Sequence, residues 1–377
     1  MNKNGKISVA FARAFHIDPE PRLMKAAKWI LEENKQINIL ALGWDRTGKS
    51  KKNEVVDGVN IKRFFAKGEY GKGFKKNILG LILFNLYLLY TFFINKIDVI
   101  HACDLDTAIP AIIASKLKRT KLVYDIYDFY SDNRNLGILD PIVRKLELWI
   151  IKKAHVVIIA DERRISQLGH LSDDILKKII VIYNTPDDLS INNDNGNTSF
   201  LIGYVGVLIP DRRLIEAAKI VSNIENMNIS FAGFGPLEKD FVSISNQYNC
   251  IKYFGKVSYD RALEIEKQSV AILAMYDPKL PNNRYAAPNK LCEAMMLGKP
   301  IITSDGTLCA DIVRDEGIGF VIPHEDINAM KDTFIYITQH PDEVKNMGVR
   351  ARALYDNKYS SNKMKEVLQN AYQQLNI

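Results

Sequence analysis

The chain has 377 residues, of which 47% are hydrophobic and 25% are charged, and its formal net charge is +7. These proportions are typical of folded proteins and argue against extensive disorder, and the length is sufficient for two domains. The positive charge is modest and spread along the chain. It permits an anionic ligand or an anionic membrane surface but does not indicate binding to nucleic acid.

The four cysteines, at positions 103, 250, 292 and 309, lie far apart, and none belongs to a Cys-x-x-Cys pair. This spacing argues against a disulfide framework or a zinc site and fits a reducing compartment. The first residues lead directly into a strand-like run, with no secretory signal visible. We therefore expect a cytoplasmic protein.

Strand-like and helix-like segments alternate through the first half, as in a parallel α/β sheet. The pattern predicts a first helix over Pro21 to Asn34. It predicts strands at residues 6–12, 37–42, 98–101, 121–124, 155–160 and 179–183.

An apolar stretch at residues 78–95 interrupts this alternation, flanked by Lys72, Lys75, Lys76 and Lys96. Its length leaves a membrane-spanning helix open, but the strand expected directly afterwards would then be separated from its sheet by a membrane. A buried helix is one alternative. The other is a helix lying in the membrane interface, with residues 72–96 contacting anionic headgroups.

The polar, turn-rich segment 188–198 predicts a domain boundary. The alternation restarts after it, with strands expected at 201–205, 227–231, 251–254, 270–274, 301–303 and 319–322. We therefore predict an N-terminal Rossmann-like domain over 1–190 and a C-terminal one over 198–355, facing each other across a cleft. A C-terminal helix within 356–377 is expected to return to the N-terminal domain.

Glycine-containing turns follow several strands of the second half. The segments Gly203-Tyr-Val-Gly206 and Phe231-Ala-Gly-Phe-Gly-Pro236 each close a strand, and Asp211-Arg-Arg213 opens the next helix. Glycines at such turns let backbone approach a ligand, although many merely form tight turns. An arginine at this position can pair with a phosphate, and the alternative is an ordinary surface arginine.

The segment Tyr285 to Pro300 reads as a loop that opens into a short helix. Lys290 and Glu293 lie three residues apart near the helix start. A cation and free N–H groups there suit a diphosphate, and a carboxylate one turn further suits a ribose diol. A surface Lys–Glu pair without function is equally compatible with the spacing.

The ordered set of these motifs resembles glycosyltransferase family 4, whose members use nucleotide sugars and have the two-domain GT-B fold. The resemblance is strongest where Pro-Asn-Lys-Leu-Cys-Glu-Ala-Met (residues 288–295) is followed by Gly-Lys-Pro-Ile-Ile (298–302). Motifs in the first half, such as Val123-Tyr-Asp-Ile-Tyr-Asp-Phe-Tyr130, resemble those of members that build surface polysaccharides. The implied fold class is α/β.

The resemblance assigns donor-binding roles by position. Glu293 matches the glutamate that holds the nucleotide ribose, Arg212 matches a lysine that meets the diphosphate, and Gly233 and Gly235 match the turn beside the nucleotide. Asn289 and Lys290 lie in the loop that approaches the phosphates and the sugar. Two positions depart from the family, because Tyr285 replaces the sugar-binding glutamate and Val207 replaces an arginine.

The family also implies retention at the anomeric carbon and no obligatory metal or other cofactor. Asp104 and Asp106 have the spacing of a metal motif, but they belong to the first domain, so we interpret them as structural or acceptor-side groups. Tyr127 matches the position of a histidine in many relatives. Asp128 beside it is the candidate acceptor-side catalytic group, and a helix-capping carboxylate is the alternative.

The expected activity is transfer of a hexose from a UDP- or GDP-sugar to a saccharide or lipid-linked acceptor at the inner face of the membrane. Two alternatives stay open. One is an epimerase with the same fold, and the other is a non-catalytic nucleotide-sugar-binding partner, which the loss of the first glutamate makes conceivable.

Overall fold

The computed structural model describes residues 7–17, 20–69, 74–130, 137–189, 200–285 and 289–375. These residues form two compact units, the first comprising residues 1–183 and 364–377 and the second residues 184–363. The division lies between Tyr183 and Asn184, a few residues before the polar segment 188–198. Ile182 and Tyr183, the last residues before this division, are still buried.

The first unit is built on one eight-stranded sheet. Its strands are β1 (Ile7–Arg13), β2 (Ile37–Asp45), β3 (Asn53–Val56), β4 (Val59–Phe65), β5 (Val99–Cys103), β6 (Lys121–Ile126), β7 (Val156–Ile159) and β8 (Ile179–Val181). The strand order is β3-β4-β2-β1-β5-β6-β7-β8, and every pairing is parallel except β3 with β4. The central strands are apolar and buried, as expected for a parallel sheet covered on both faces.

Helices connect these strands: α1 (Pro21–Glu33), α2 (Phe74–Ile94), α3 (Leu105–Lys118), α4 (Asp140–Lys153) and the short α5 (Asp173–Leu176). Pro21 stands at the start of α1, where its missing N–H is not needed.

The second unit is a six-stranded parallel sheet. Its strands are β9 (Phe200–Val207), β10 (Met227–Phe234), β11 (Ile251–Tyr253), β12 (Ala271–Ala274), β13 (Ile301–Ser304) and β14 (Gly319–Ile322), in the order β11-β10-β9-β12-β13-β14. The helices are α6 (Leu214–Val221), α7 (Glu238–Gln247), α8 (Tyr259–Gln268), α9 (Pro281–Arg284), α10 (Asn289–Met296), α11 (Leu308–Glu316), α12 (Ile327–Gln339) and α13 (Pro341–Leu354). The prediction of two Rossmann-like α/β units is therefore confirmed.

The C-terminal helix α14 (Ser361–Gln374) carries the chain from the second unit into the first. Its side chains contact α1 and β5: Gln369 Nε2 donates to the Trp29 carbonyl at 2.8 Å, and Tyr372 Oη lies 2.7 Å from His101 Nδ1. Tyr372 and His101 are both buried.

Strands β3 and β4 were not predicted from the sequence. They form an antiparallel hairpin in which Asp57 and Gly58 connect Val56 to Val59. Asp57 and Gly58 both have positive φ, 49° and 81°, which matches a two-residue turn of the Asp-Gly type. The Asp-Gly pair was therefore a usable hairpin signal.

Helix α2 buries one face and exposes the other, so residues 78–95 have features of both alternatives, the buried helix and the interfacial helix. Phe84, Leu88 and Phe92 are buried, whereas the outward positions Leu79, Ile82, Leu86, Tyr90 and Ile94 are 50–68% exposed. Gly80 lies against Trp44, and a Cβ there would come within 2.4 Å of the indole. Within the described residues, Lys76–Ile94 is long and apolar enough to cross a membrane by length and composition, with 28% of it buried. A core helix of a soluble protein passes the same test, so this is weak evidence.

Candidate functional site

Two neighbouring strands of the second sheet end in glycines whose backbones touch. Gly206 in β9 is in register with Gly233 in β10. A Cβ at Gly233 would lie 1.8 Å from the Gly206 carbonyl oxygen, and Gly233 has a φ of 139°. Glycine is therefore required at this strand end by the protein's own backbone.

Gly235 is required for a similar reason. A Cβ there would lie 2.5 Å from the Leu208 carbonyl oxygen, and its φ is 152°. Its N–H donates to Glu238 Oε1 at 2.9 Å, at the start of α7. This amide is therefore already occupied by the side chain of Glu238.

Arg212 extends from the turn that follows β9 across the end of β12. Its Nη1 donates to the Met275 carbonyl at 3.1 Å, and its guanidinium lies 3.9 Å from the centroid of the Tyr276 ring. Burial raises the pKa of Tyr276, against the opposing effect of Arg212. The aromatic ring and the carbonyl hold the guanidinium in one place while its remaining donors stay available to an anion.

Lys290, at the start of α10, forms a buried ion pair with Glu266 of α8. Lys290 Nζ lies 3.0 Å from Glu266 Oε1, and the two side chains are 12% and 1% exposed. Burial opposes the charged form of Lys290, but Glu266 and Glu293 outweigh it and raise the pKa of the ammonium. Burial also raises the pKa of the Glu266 carboxyl, whose Oε2 has no hydrogen-bond partner among the described residues.

Glu293 lies one turn after Lys290 and is 8% exposed. Burial and the neighbouring Glu293 raise the pKa of Tyr259. Glu293 is also close enough to Lys290 and Tyr276 to act on their pKa values.

Arg212, Lys290 and Glu293 therefore converge at the carboxyl edge of the second sheet. The two cations lie close enough to Tyr204 to act on its pKa: burial raises this pKa, and both Lys290 and Arg212 oppose that rise. Lys290 also lies beneath the glycine turn, because a Cβ on Gly206 would be 3.4 Å from its Cε.

The other predicted donor residues are placed differently. Asn289 is exposed at the first position of α10, and Tyr285 is half-buried after α9, with the Arg284 guanidinium 5.8 Å from its ring. Residues 286–288 between them lie outside the described part of the chain.

Sequence reasoning missed Glu266, Tyr204 and Tyr276. Glu266 had a detectable signal, because it occupies an inward position of the amphipathic helix α8, where Ala262, Leu263 and Ile265 are also buried. A carboxylate at such a position needs a partner. Nothing local in the sequence indicates that this partner is Lys290, 24 residues further along the chain.

The acceptor-side candidate Asp128 lies in the first unit, after the end of β6. Its side chain is 41% exposed, and Oδ1 is 3.6 Å from Arg164 Nη2. Burial raises the pKa of Asp128, with Arg164 opposing it. A partly exposed carboxylate with a raised pKa has the properties of a proton acceptor, although its catalytic role stays a prediction.

The neighbouring groups at this edge form a paired network. Tyr127 is sandwiched between Arg13 and Arg22, whose guanidinium carbons lie 3.9 and 4.5 Å from the ring centroid. Arg13 forms an ion pair with Asp104, and Arg22 Nη2 lies 2.6 Å from Asp125 Oδ1. Asp104 Oδ1 also accepts the Tyr127 N–H at 2.8 Å. Asp104 therefore holds both Arg13 and the backbone of Tyr127 in place.

The side chains of His101, Cys103 and Asp125 have donor atoms within 4.8 Å of one another, close enough to hold a metal ion. Their chemistry fits a metal poorly. Burial raises the pKa of the Cys103 thiol well above its ordinary value, and Asp125 is already paired with Arg22. Burial opposes ionisation of Asp125, yet Arg22 and His101 outweigh it and lower its pKa.

Comparison with known proteins gives a family match that lies within the second unit. Residues 188–354 match the family model described as "Glycosyl transferases group 1". The chain is also 25% identical over 182 residues to the capsular polysaccharide biosynthesis glycosyltransferase CapM of Staphylococcus aureus. That alignment covers 47% of this chain and 46% of CapM, so the chain spans about half the length of this curated relative.

Solved structures match nearly the whole chain at low identity. Sucrose-phosphate synthase from Thermosynechococcus elongatus matches with a TM-score of 0.76 at 13% identity, covering 98% of this chain and 99% of that one. HepE of Anabaena, solved in complex with UDP, matches with a TM-score of 0.69 at 14% identity, over 98% and 100% of the two chains. WaaB, a lipopolysaccharide outer core galactosyltransferase solved in its apo form, gives 0.64 at 14% identity, over 98% and 99%. The fold is that of GT-B glycosyltransferases.

Proposed function

We propose that this protein is a retaining glycosyltransferase that moves a hexose from a UDP- or GDP-sugar to a saccharide or lipid-linked saccharide in surface polysaccharide synthesis. The observation that carries the proposal is the convergence of Arg212, Lys290 and Glu293 at one strand edge, inside the region that matches the glycosyltransferase family model. CapM, a capsular polysaccharide glycosyltransferase, and HepE, solved with UDP, support the substrate class.

The charges suit departure of a nucleoside diphosphate. As the glycosidic bond breaks, negative charge develops on the diphosphate, and cations already held in place stabilise it without reorganisation. Arg212 is held by Tyr276 and the Met275 carbonyl, and Lys290 by Glu266. Glu293, one helical turn from Lys290, is the group that accepts hydrogen bonds from the ribose hydroxyls.

Tyr285 stands where the family has a sugar-binding carboxylate, so the donor sugar must be recognised differently here. A phenol can stack on a sugar face or donate one hydrogen bond, but it carries no charge at neutral pH. We propose that this position distinguishes the donor of this enzyme from donors bound by the glutamate. Asn289, exposed beside it, is the second group on this side.

Turnover separates the proposal from its alternatives. The protein is incubated with UDP- and GDP-sugars, with and without a membrane lipid extract, and the products are followed by chromatography. We expect release of nucleoside diphosphate only when acceptor is present. Acceptor-independent conversion of the donor would indicate an epimerase, and binding without turnover would indicate a non-catalytic partner.

A lipid-linked acceptor would be met at a membrane, and we propose that the exposed face of α2 lies in its interface. Leu79 and Leu86 are 68% and 56% exposed on that face, and Lys76 stands at its amino end with its side chain 61% exposed. Apolar groups that insert and lysines that meet anionic headgroups act together in such helices.

The variant Leu79→Gln with Leu86→Gln should no longer sediment with anionic liposomes at low salt. Each leucine contributes about 1.5–3 kcal/mol when fully buried, so losing both weakens binding more than tenfold. The matched control is Leu280→Gln with Val349→Gln, which removes two exposed apolar side chains of the second unit. Sedimentation of the α2 variant equal to that of this control would contradict the membrane contact.

A further inference from the structure

A positively charged cavity lies in the first unit at the amino end of β6, whereas Asp128 follows the carboxyl end of that strand. It has a volume of about 360 Å³ and is formed where α3 and α4 end and β6 begins. Its lining includes four cationic side chains, the hydroxyl residues Ser115 and Thr120, and His155. The four cationic residues are Lys116, Arg119, Lys121 and Lys153.

The four cations are not neutralised by carboxylates. The lining contains no acidic residue, and none of the four forms an ion pair within the described part of the chain. Lys116 contacts an aromatic ring instead, with Nζ 5.0 Å from the centroid of Trp149. The nearby Lys118 differs from these four, because its Nζ donates to the carbonyls of Phe92, Phe93 and Asn95 at 2.6–3.1 Å.

The negative ends of the neighbouring helix dipoles do not balance the positive charge of these four side chains. The carboxyl ends of α3 and α4 both reach the cavity, and each contributes about half a negative elementary charge. Together they offset about one of the four positive charges. About three remain, which exceeds the charge of one phosphate monoester dianion.

One polar group of the lining points to a ligand as well. His155 Nδ1 accepts the Leu122 N–H at 3.1 Å, which leaves Nε2 as the ring nitrogen that can donate. Burial, together with Lys121 and Lys178, lowers the pKa of His155, so the surrounding field is positive.

We propose that this cavity binds a phosphate group, supplied either by an anionic lipid headgroup or by a soluble phosphate ester. Arg119 and the three lysines pair with the phosphate oxygens, and His155 Nε2 donates to them. The exposed apolar residues Ile113 and Leu117 of α3 directly follow the lining residues Ile112 and Lys116 in sequence, and they suit the acyl chains of a lipid. The site is separate from the proposed transfer reaction and does not depend on it.

The test compares the full-length protein with the variant Arg119→Asn plus Lys121→Gln. Asparagine is chosen because Arg119 has a φ of 57°, a left-handed conformation that asparagine tolerates. The control is Lys35→Gln plus Lys62→Gln, which removes the same charge from exposed positions of the same unit. Should the first variant fail to fold, Lys116→Gln plus Lys153→Gln replaces it, since both side chains are exposed on helices.

Two probes distinguish the sources of the phosphate. Inorganic phosphate is titrated while the His155 ring resonance is followed by NMR, and flotation is measured with phosphatidylcholine vesicles with and without phosphatidic acid. A soluble ligand is supported if inorganic phosphate binds and shifts the His155 pKa upward. This binding should weaken at least tenfold in the variant but not in the control. Flotation that requires phosphatidic acid and is lost in the variant supports a lipid. The proposal is overturned when the wild type binds neither probe or when the variant behaves like the control.

Discussion

Replacing Lys290 by alanine is expected to raise the donor KM by about 10- to 100-fold. A hydrogen bond to a charged group contributes about 1.5–3 kcal/mol, and tenfold in affinity corresponds to about 1.4 kcal/mol. The same change leaves Glu266 buried without its partner at 3.0 Å, which lowers the free energy of unfolding by about 3–5 kcal/mol. The measurements are steady-state kinetics with the donor varied and urea unfolding.

Glu266 provides the control that separates these two effects. Lys290→Ala combined with Glu266→Gln removes the unpaired buried charge, so stability should recover while the donor KM stays high. Glu266→Gln alone should keep the donor KM near that of the wild type, because Lys290 remains in place. Wild-type kinetics in the double variant would show that the Lys290–Glu266 pair is purely structural.

Among glycine substitutions at the carboxyl ends of the strands in the second unit, Gly233→Ala is expected to lower stability most. The added Cβ would lie 1.8 Å from the Gly206 carbonyl oxygen, so β9 and β10 must separate. Overpacking costs about 1–3 kcal/mol or more, and a side chain at a φ of 139° adds about 1–3 kcal/mol. We expect a loss of about 4 kcal/mol in urea unfolding, together with loss of donor binding.

Gly255→Ala is the matched control, because Gly255 also has positive φ (67°) but nothing lies within 4 Å of its missing Cβ. Only the backbone strain, about 1–2 kcal/mol, should appear there. Equal losses of stability in the two variants would mean that the contact between β9 and β10 is relaxed in solution, and that Gly233 is needed for its conformation alone.

The sheet strands could be predicted because most of them are buried on both faces. A run such as Val156–Ile159 is apolar throughout, and that pattern survives without knowledge of its neighbours. The hairpin of β3 and β4 was not predicted because its residues alternate in burial, so neither strand is a continuous apolar run. Only the Asp57-Gly58 turn carried a local signal there.

The site was harder to predict from the sequence, because the partners of its charged side chains are determined by contacts between helices. Lys290 and Glu293 could be paired by helical spacing, whereas the partnership of Lys290 with Glu266 depends on how α8 packs beside α10. The orientation of Arg212 likewise depends on Tyr276, which follows β12. The Gly233 position was found by motif, whereas its close contact with the Gly206 backbone could not be predicted from the sequence.

The most direct test of the central claim is a crystal structure of the protein with a nucleoside diphosphate sugar that it turns over. We predict the diphosphate oxygens within about 3 Å of Lys290 Nζ and the Arg212 guanidinium, and the ribose hydroxyls at the same distance from Glu293. A diphosphate bound away from Arg212, with Lys290 still paired to Glu266 alone, would contradict the account.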